Sequence, residues 1–202
     1  MPRGKKGKTK ERVAPNKIAR LDIRISGAGG QGIISTGMLL GKSIALGDGR
    51  NVSQSQSYGP EARGGATRAD IIVSDEEIYF PECNNLNVLV AFTPEAYEKY
   101  ALLAKPDGII IADESAVDVL VGSAPTLKVP FLKCAQQKFR RPIVANIIAL
   151  GFLATYAGAV SRHALRDVVR DEFSGSAHAE LNIKALEEGF RLGARYAKDS
   201  QA

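Results

Sequence analysis

The sequence predicts an α/β fold: a mostly parallel sheet with helices on both faces and a helical C-terminal part. Three observations carry this. Short apolar runs of strand length alternate with helical stretches between Leu21 and Val129, the pattern of strands covered on both sides. A glycine-rich turn joins the first such strand to the first helix, as in βα units. From Ile143 onward the periodicity is dominated by helix.

Each element has its own signal. Leu21 to Ser26 (LDIRIS) alternates apolar and polar residues, a strand with one better-buried face. Ile33 to Leu46 places Ile33, Ile34, Met38, Leu39, Ile44 and Leu46 at helical spacing, and Gly47-Asp48-Gly49 stops the helix. Asn51 to Gln54 is a short strand at best. Residues 55–66 (SQSYGPEARGGA) read as a polar loop, longer than most connections and therefore a candidate for function. Thr67–Ser74 is a strand, Ile78–Phe80 a short extended piece and Asn87–Phe92 a buried strand. Thr93 caps a helix that uses Pro94 at its first position. Pro106-Asp107-Gly108 reads as a turn into a strand at Ile109–Ala112, and Leu127–Val129 as the last strand. Helices are expected at Ile143–Ala157, Arg162–Glu172 and Ala179–Lys198.

The 202 residues, 45% hydrophobic and 24% charged, suit one domain over residues 21–202. No apolar run reaches the roughly 18 residues of a membrane span, and no apolar stretch follows the N-terminal basic residues. A cytoplasmic protein is expected. Residues 1–20 hold eight basic residues against Glu11 alone, a net of +7 in a chain of net +5, so the body carries −2. This basic tail is read as a disordered solubilising extension, with contact to nucleic acid or an acidic partner as the lesser reading. Cys83 and Cys134, with His163 and His178, have no ligand spacing; no metal site or iron–sulfur cluster is expected in this chain.

Gly27-Ala28-Gly29-Gly30-Gln31-Gly32 has the G-x-G-x-x-G spacing between strand and helix, which makes the expected fold Rossmann-like. Such glycines let backbone N–H groups at a helix start approach an anionic oxygen. A dinucleotide unit also wants an acid after its second strand; Asn51 to Ser55 contains none. Two readings stay level: glycines that serve strand–helix packing alone, and a phosphate contact by Gly27, Gly29, Gly30, Gln31 and Gly32. Gly47-Asp48-Gly49 with Asn84-Asn85 imitates a thiamine diphosphate signature, but its spacing is too long and it follows a helix; it reads as a helix stop.

The glycine loop followed by Ser57-Tyr58-Gly59-Pro60-Glu61-Ala62-Arg63-Gly64-Gly65 resembles the gamma subunits of 2-oxoacid:ferredoxin oxidoreductases, a module that also occurs within fused single-chain pyruvate enzymes. The likeness continues through Ile71–Asp75, Pro81, Asn87–Phe92, Asn146–Gly151 and Asn182–Gly193. It departs at the basic tail and at Asn87, where Asp is common. The resemblance implies a hetero-oligomeric complex, with alpha and beta subunits and in some readings a ferredoxin-like delta subunit, that oxidatively decarboxylates a 2-oxoacid. Products are acyl-coenzyme A, carbon dioxide and reduced ferredoxin. Thiamine diphosphate, Mg and iron–sulfur clusters are implied in partner chains, with coenzyme A as a substrate. The wording of the second motif favours the 2-oxoglutarate branch, with pyruvate and branched-chain oxoacids as alternatives. Tyr58, Gly59, Pro60, Glu61, Arg63, Gly64 and Gly65 are expected to dock on the partner subunits and line the substrate or coenzyme A approach. No residue here reads as a catalytic acid, base or nucleophile. The competing readings are a stand-alone nucleotide-binding protein and a nucleic-acid-associated protein led by its tail.

Overall fold

The computed structural model describes residues 18–57 and 66–200. Among these residues six strands form one sheet: β1 (Leu21–Gly27), β2 (Asn51–Ser57), β3 (Thr67–Ser74), β4 (Leu86–Ala91), β5 (Ala104–Asp113) and β6 (Thr126–Val129), in the order β2-β3-β1-β4-β5-β6. β1, β4, β5 and β6 pair in parallel, while β3 lies antiparallel between β1 and β2. The sheet is therefore mostly parallel, as expected, with one reversed strand.

The α-helices of the described residues cover it: α1 (Ile33–Lys42), α2 (Pro94–Tyr100), α3 (Phe131–Cys134), α4 (Ala145–Tyr156), α5 (Arg162–Glu172) and α6 (Ala179–Asp199). On one face Ile23, Ile25, Ile71, Val90 and Ile111 pack against apolar residues of α1, α4, α5 and α6. On the other, Ile72, Leu89 and Ile110 meet Ala96, Tyr97 and Tyr100 of α2. Both faces are covered, unequally. α4 is buried from Ala145 to Ala154, as a helix apolar all round must be. It crosses α6 at two glycines: a Cβ on Gly151 would strike the carbonyl of Leu186, and one on Gly189 that of Ile148.

The helix after Thr93 forms as expected, with the Thr93 hydroxyl accepting from Ala96 N at 3.3 Å. Four details differ from the sequence reading. β2 runs to Ser57, because β3 supplies a full ladder and Gln54 packs over Gly37 and Gly41 of α1. Ile78–Phe80 forms no strand. Pro106-Asp107-Gly108 is not a turn before β5 but an irregularity within it, where the register jumps from Leu86↔Ala104 to Val88↔Ile109. α3 was unforeseen; it runs into a π-helical turn at Ala135–Phe139 that ends at Arg140, whose φ is 53°.

Candidate functional site

The glycine loop leaves the C-terminal end of β1 and opens α1. Each glycine answers to a different constraint. A Cβ on Gly27 would run into the Gln31 side chain and lie 3.0 Å from Phe92 Cβ. Gln31 folds back so that its Oε1 accepts from Ala28 N at 2.8 Å. Gly30 and Gly32 have φ of 84° and 72°, a region that side chains resist. Gly32, the residue before α1, also faces the Asn146 amide where a Cβ would go. Gly29 is the exception. It is exposed, a Cβ there would meet nothing within 4 Å, and its φ is not positive. The fold therefore sets no requirement for glycine at 29.

Beside this loop lies a cleft of about 280 Å³, lined by Gly32, Ser35, Arg141, Asn146, His178 and Asn182 together with apolar walls that include Ile143, Ile147, Phe173 and Leu181. Three helices begin here. α1 and α6 start without a side-chain cap, whereas α2 and α5 are capped by Thr93 and Ser161, and α4 continues from a turn at Pro142–Val144 that takes its first N–H group. Uncapped helix starts present N–H groups and the positive end of the helix dipole. Asn146 and Asn182 are 8% and 6% exposed. Asn146 Oδ1 accepts from Ile147 N at 2.6 Å, leaving its amide nitrogen toward Gly32. Arg141 is exposed at the rim and makes no ion pair among the described residues. The arrangement suits a ligand with an anionic part and a flat or apolar part.

The second predicted motif, Tyr58, Gly59, Pro60, Glu61, Arg63, Gly64 and Gly65, lies outside the described residues. Its flanks do not. Thr67 pairs with Gly27 and Ser57 with Arg68, so the two strands that carry this motif end at the same edge of the sheet as the glycine loop. Beneath that edge Arg24 and Asp70 form a two-pronged pair, Nε to Oδ1 at 2.6 Å and Nη2 to Oδ2 at 2.8 Å. Arg24 Nη2 also donates to the Cys83 carbonyl, and the guanidinium lies 4.6 Å from the Tyr100 ring centre. Burial opposes the charge on Arg24, but the hydrogen bond and attraction from Asp70 outweigh it and raise its pKa.

The remaining candidates separate clearly. Asp48 accepts from Ser161 N at 2.9 Å, so the Gly47–Gly49 turn ties β2's approach to α5. Among the described residues no group of three or more His, Cys, Asp or Glu is placed to hold one. Burial pushes the Cys83 thiol up to about 12 and that of Cys134 to about 11. His163 is solvated beside Asp167. Sequence reasoning set His178 aside and did not single out Arg141, Asn146 or Asn182 as site residues. The available signal was an asparagine interrupting an apolar helix, as in Ala145-Asn146-Ile147-Ile148, because such a side chain faces inward and needs a partner.

A mostly parallel sheet, a glycine loop and a cleft beside uncapped helix starts define an α/β module with a ligand-sized cleft. The family model described as pyruvate ferredoxin/flavodoxin oxidoreductase matches residues 22–192, and the chain belongs to that family. It is 39% identical over 176 residues to the 2-oxoglutarate synthase subunit KorC of Methanocaldococcus jannaschii, covering 86% of this chain and 94% of the relative. The keto/oxoacid ferredoxin oxidoreductase gamma subunit of Geobacter sulfurreducens superposes with a TM-score of 0.79 at 35% identity, over 88% of this chain and 98% of that one. The 2-oxoglutarate:ferredoxin oxidoreductase of Magnetococcus marinus, solved with 2-oxoglutarate, coenzyme A and succinyl-CoA bound, superposes at 0.77 with 26% identity; the match spans 89% of this chain and 32% of that one. The resemblance to gamma subunits read from the glycine motifs is thereby borne out.

Proposed function

We propose that this chain is the gamma subunit of a cytoplasmic 2-oxoacid:ferredoxin oxidoreductase of the 2-oxoglutarate branch, and that its cleft holds the phosphate-bearing end of coenzyme A. In this reading the complex converts 2-oxoglutarate and coenzyme A to succinyl-CoA and carbon dioxide, and two electrons pass to ferredoxin. Thiamine diphosphate, Mg and iron–sulfur clusters belong to alpha and beta subunits, or to a ferredoxin-like delta subunit, and supply the decarboxylation and electron transfer. This chain's residues bind and orient. The bare start of α1 and Arg141 meet phosphate oxygens, while Gly29 leaves room for close approach. The Tyr58–Gly65 loop docks on the partners at the same edge.

The observation that carries the cleft reading is the uncapped start of α1 at Gly32, which lines the cleft together with Arg141; Gly29, which neither packing nor backbone conformation requires, lies in the adjoining loop. A dinucleotide is disfavoured because β3 occupies the place beside β1 where the ribose-binding strand would lie. The test is affinity purification from an anaerobic lysate, with mass spectrometry of the co-purifying chains and a 2-oxoacid-dependent dye-reduction assay. Recovery of thiamine- and cluster-bearing subunits with 2-oxoglutarate-dependent activity supports the reading. A lone, inactive chain beside detectable partners overturns it.

A further inference from the structure

The geometry points to Asn182, on the first turn of α6, as a specificity-determining residue that reads the edge of the adenine ring of coenzyme A. This rests on the reading of the cleft as a coenzyme A site. Asn182 is 6% exposed and lines the cleft, yet its carboxamide makes no hydrogen bond among the described residues. The amide is not among the sealed, unpartnered polar atoms of the described residues; it opens into the cleft, where its donor and acceptor are free to meet a ligand.

The chemistry selects the partner. A carboxamide offers a donor and an acceptor side by side. A phosphate only accepts, and the Asn182 oxygen would repel it. The amides of the pantetheine arm carry N–H and C=O on opposite sides of a trans peptide-like bond, so neither can meet both atoms of one carboxamide. The adenine edge presents its N6 donor and a ring-nitrogen acceptor together, the arrangement that asparagine reads in a two-pronged manner. Phe173, Ile147 and Leu181 line the same cleft as apolar walls for the ring, with Arg141 at the rim for phosphate. The position fits the division of labour. The described residues contain no acid–base pair that would work on the thiol, so the reacting end belongs in a partner chain. The far end of the cosubstrate is held here, where remote binding energy can support the reaction.

The test uses the assembled complex and two cosubstrates, coenzyme A and its 1,N6-etheno derivative, which lacks the N6 donors. The wild-type KM for the etheno derivative should exceed that for coenzyme A about tenfold, with kcat unchanged, the discrimination typical of one two-pronged contact. In Asn182→Leu the KM for coenzyme A should rise to the etheno level, so that the ratio falls to about one, without a lower melting temperature. Equal wild-type KM values overturn the assignment whatever the variant does. Loss of 4′-phosphopantetheine competition in the variant also overturns it, by moving Asn182 to the pantetheine arm. A coenzyme A KM left unchanged by both Asn182→Leu and Arg141→Ala sinks the underlying cleft reading, whereas a rise in Arg141→Ala alone sinks only the Asn182 assignment, which separates the two failures.

Discussion

Gly32 and Asn146 are fitted to one another across the mouth of the cleft: the amide nitrogen of Asn146 occupies the space a Gly32 side chain would need. Gly32 also holds φ at 72°. Gly32→Ala should therefore cost about 1–2 kcal/mol from the left-handed backbone alone, with a further loss from displacing Asn146. A lowered melting temperature together with a raised KM for coenzyme A is the expected outcome. Gly29→Ala is the counterpart, because nothing surrounds position 29. Its melting temperature should match wild type while its KM for coenzyme A rises; an unchanged KM would remove the phosphate role from the loop.

The Arg24–Asp70 pair makes a second case. Both side chains are at most 5% exposed, so removing one leaves the other charged and buried. Asp70→Asn or Arg24→Met should each destabilise by about 3–5 kcal/mol, while the joint replacement by apolar residues should cost markedly less than the sum. Denaturant titration of the two single variants and the double variant measures this. Strict additivity would show that the pair is not coupled.

Glu188 gives a pH signature. Burial opposes its ionised form, but hydrogen bonds from Arg191 and Lys138 outweigh this and bring its pKa down to about 2. The group binds protons more readily when unfolded, so its contribution is complete above the unfolded carboxylate range and fades as pH falls toward 2. Glu188→Gln should lower the melting temperature at pH 7, and the gap to wild type should close between about pH 4.5 and 2. A gap that is constant across that window contradicts the assignment.

Cys83 and Cys134 are 2% and 8% exposed, with thiols held well above neutral pKa. Neither should react with a thiol reagent at pH 8 in the folded protein, and both should react after unfolding. Cys134 Sγ donates to Glu188 Oε1 at 3.5 Å, and rapid labelling of native Cys134 would show that this contact opens readily.

Helix crossing supplies the last test. Gly151→Ala pushes a methyl group into the Leu186 backbone, which cannot rotate away. A loss of about 1–3 kcal/mol in unfolding free energy is expected, with α6 released first in hydrogen exchange. Wild-type stability would mean that α4 and α6 separate without cost.

The parts legible in the sequence were those with local signals. The Thr93 cap, the apolar strands and the glycine loop each depend on neighbours a few positions away. What escaped depends on distant partners. Leu21–Ser26 reads as a strand with one polar face, yet Asp22 and Arg24 are buried, because β3 brings Asp70 opposite Arg24 from 46 positions away. β2 looks too polar for a seven-residue strand until the glycines of α1 are seen to admit Gln54. The cleft joins residues from 32 to 182, and no local window contains Gly32, Asn146 and Asn182 together. Pro106-Asp107-Gly108 reads as a turn ahead of its strand, because nothing local reveals that β4 pairs on both sides of it, at Ala104 and at Ile109.

The antiparallel placement of β3 has a consequence for the order of assembly. β1 and β2 are consecutive in the chain yet separated by one strand width, so neither can complete its inner ladder until residue 74 has been made. β3 supplies the antiparallel partner of both β1 and β2, which are joined through α1. Such a placement is unforgiving of slippage, since a shift of one residue would turn Asp70 away from Arg24 and exchange the side chains that β3 sends to the two covered faces. The buried ion pair thus acts as a key that admits one alignment, and its loss should slow refolding through mispaired intermediates.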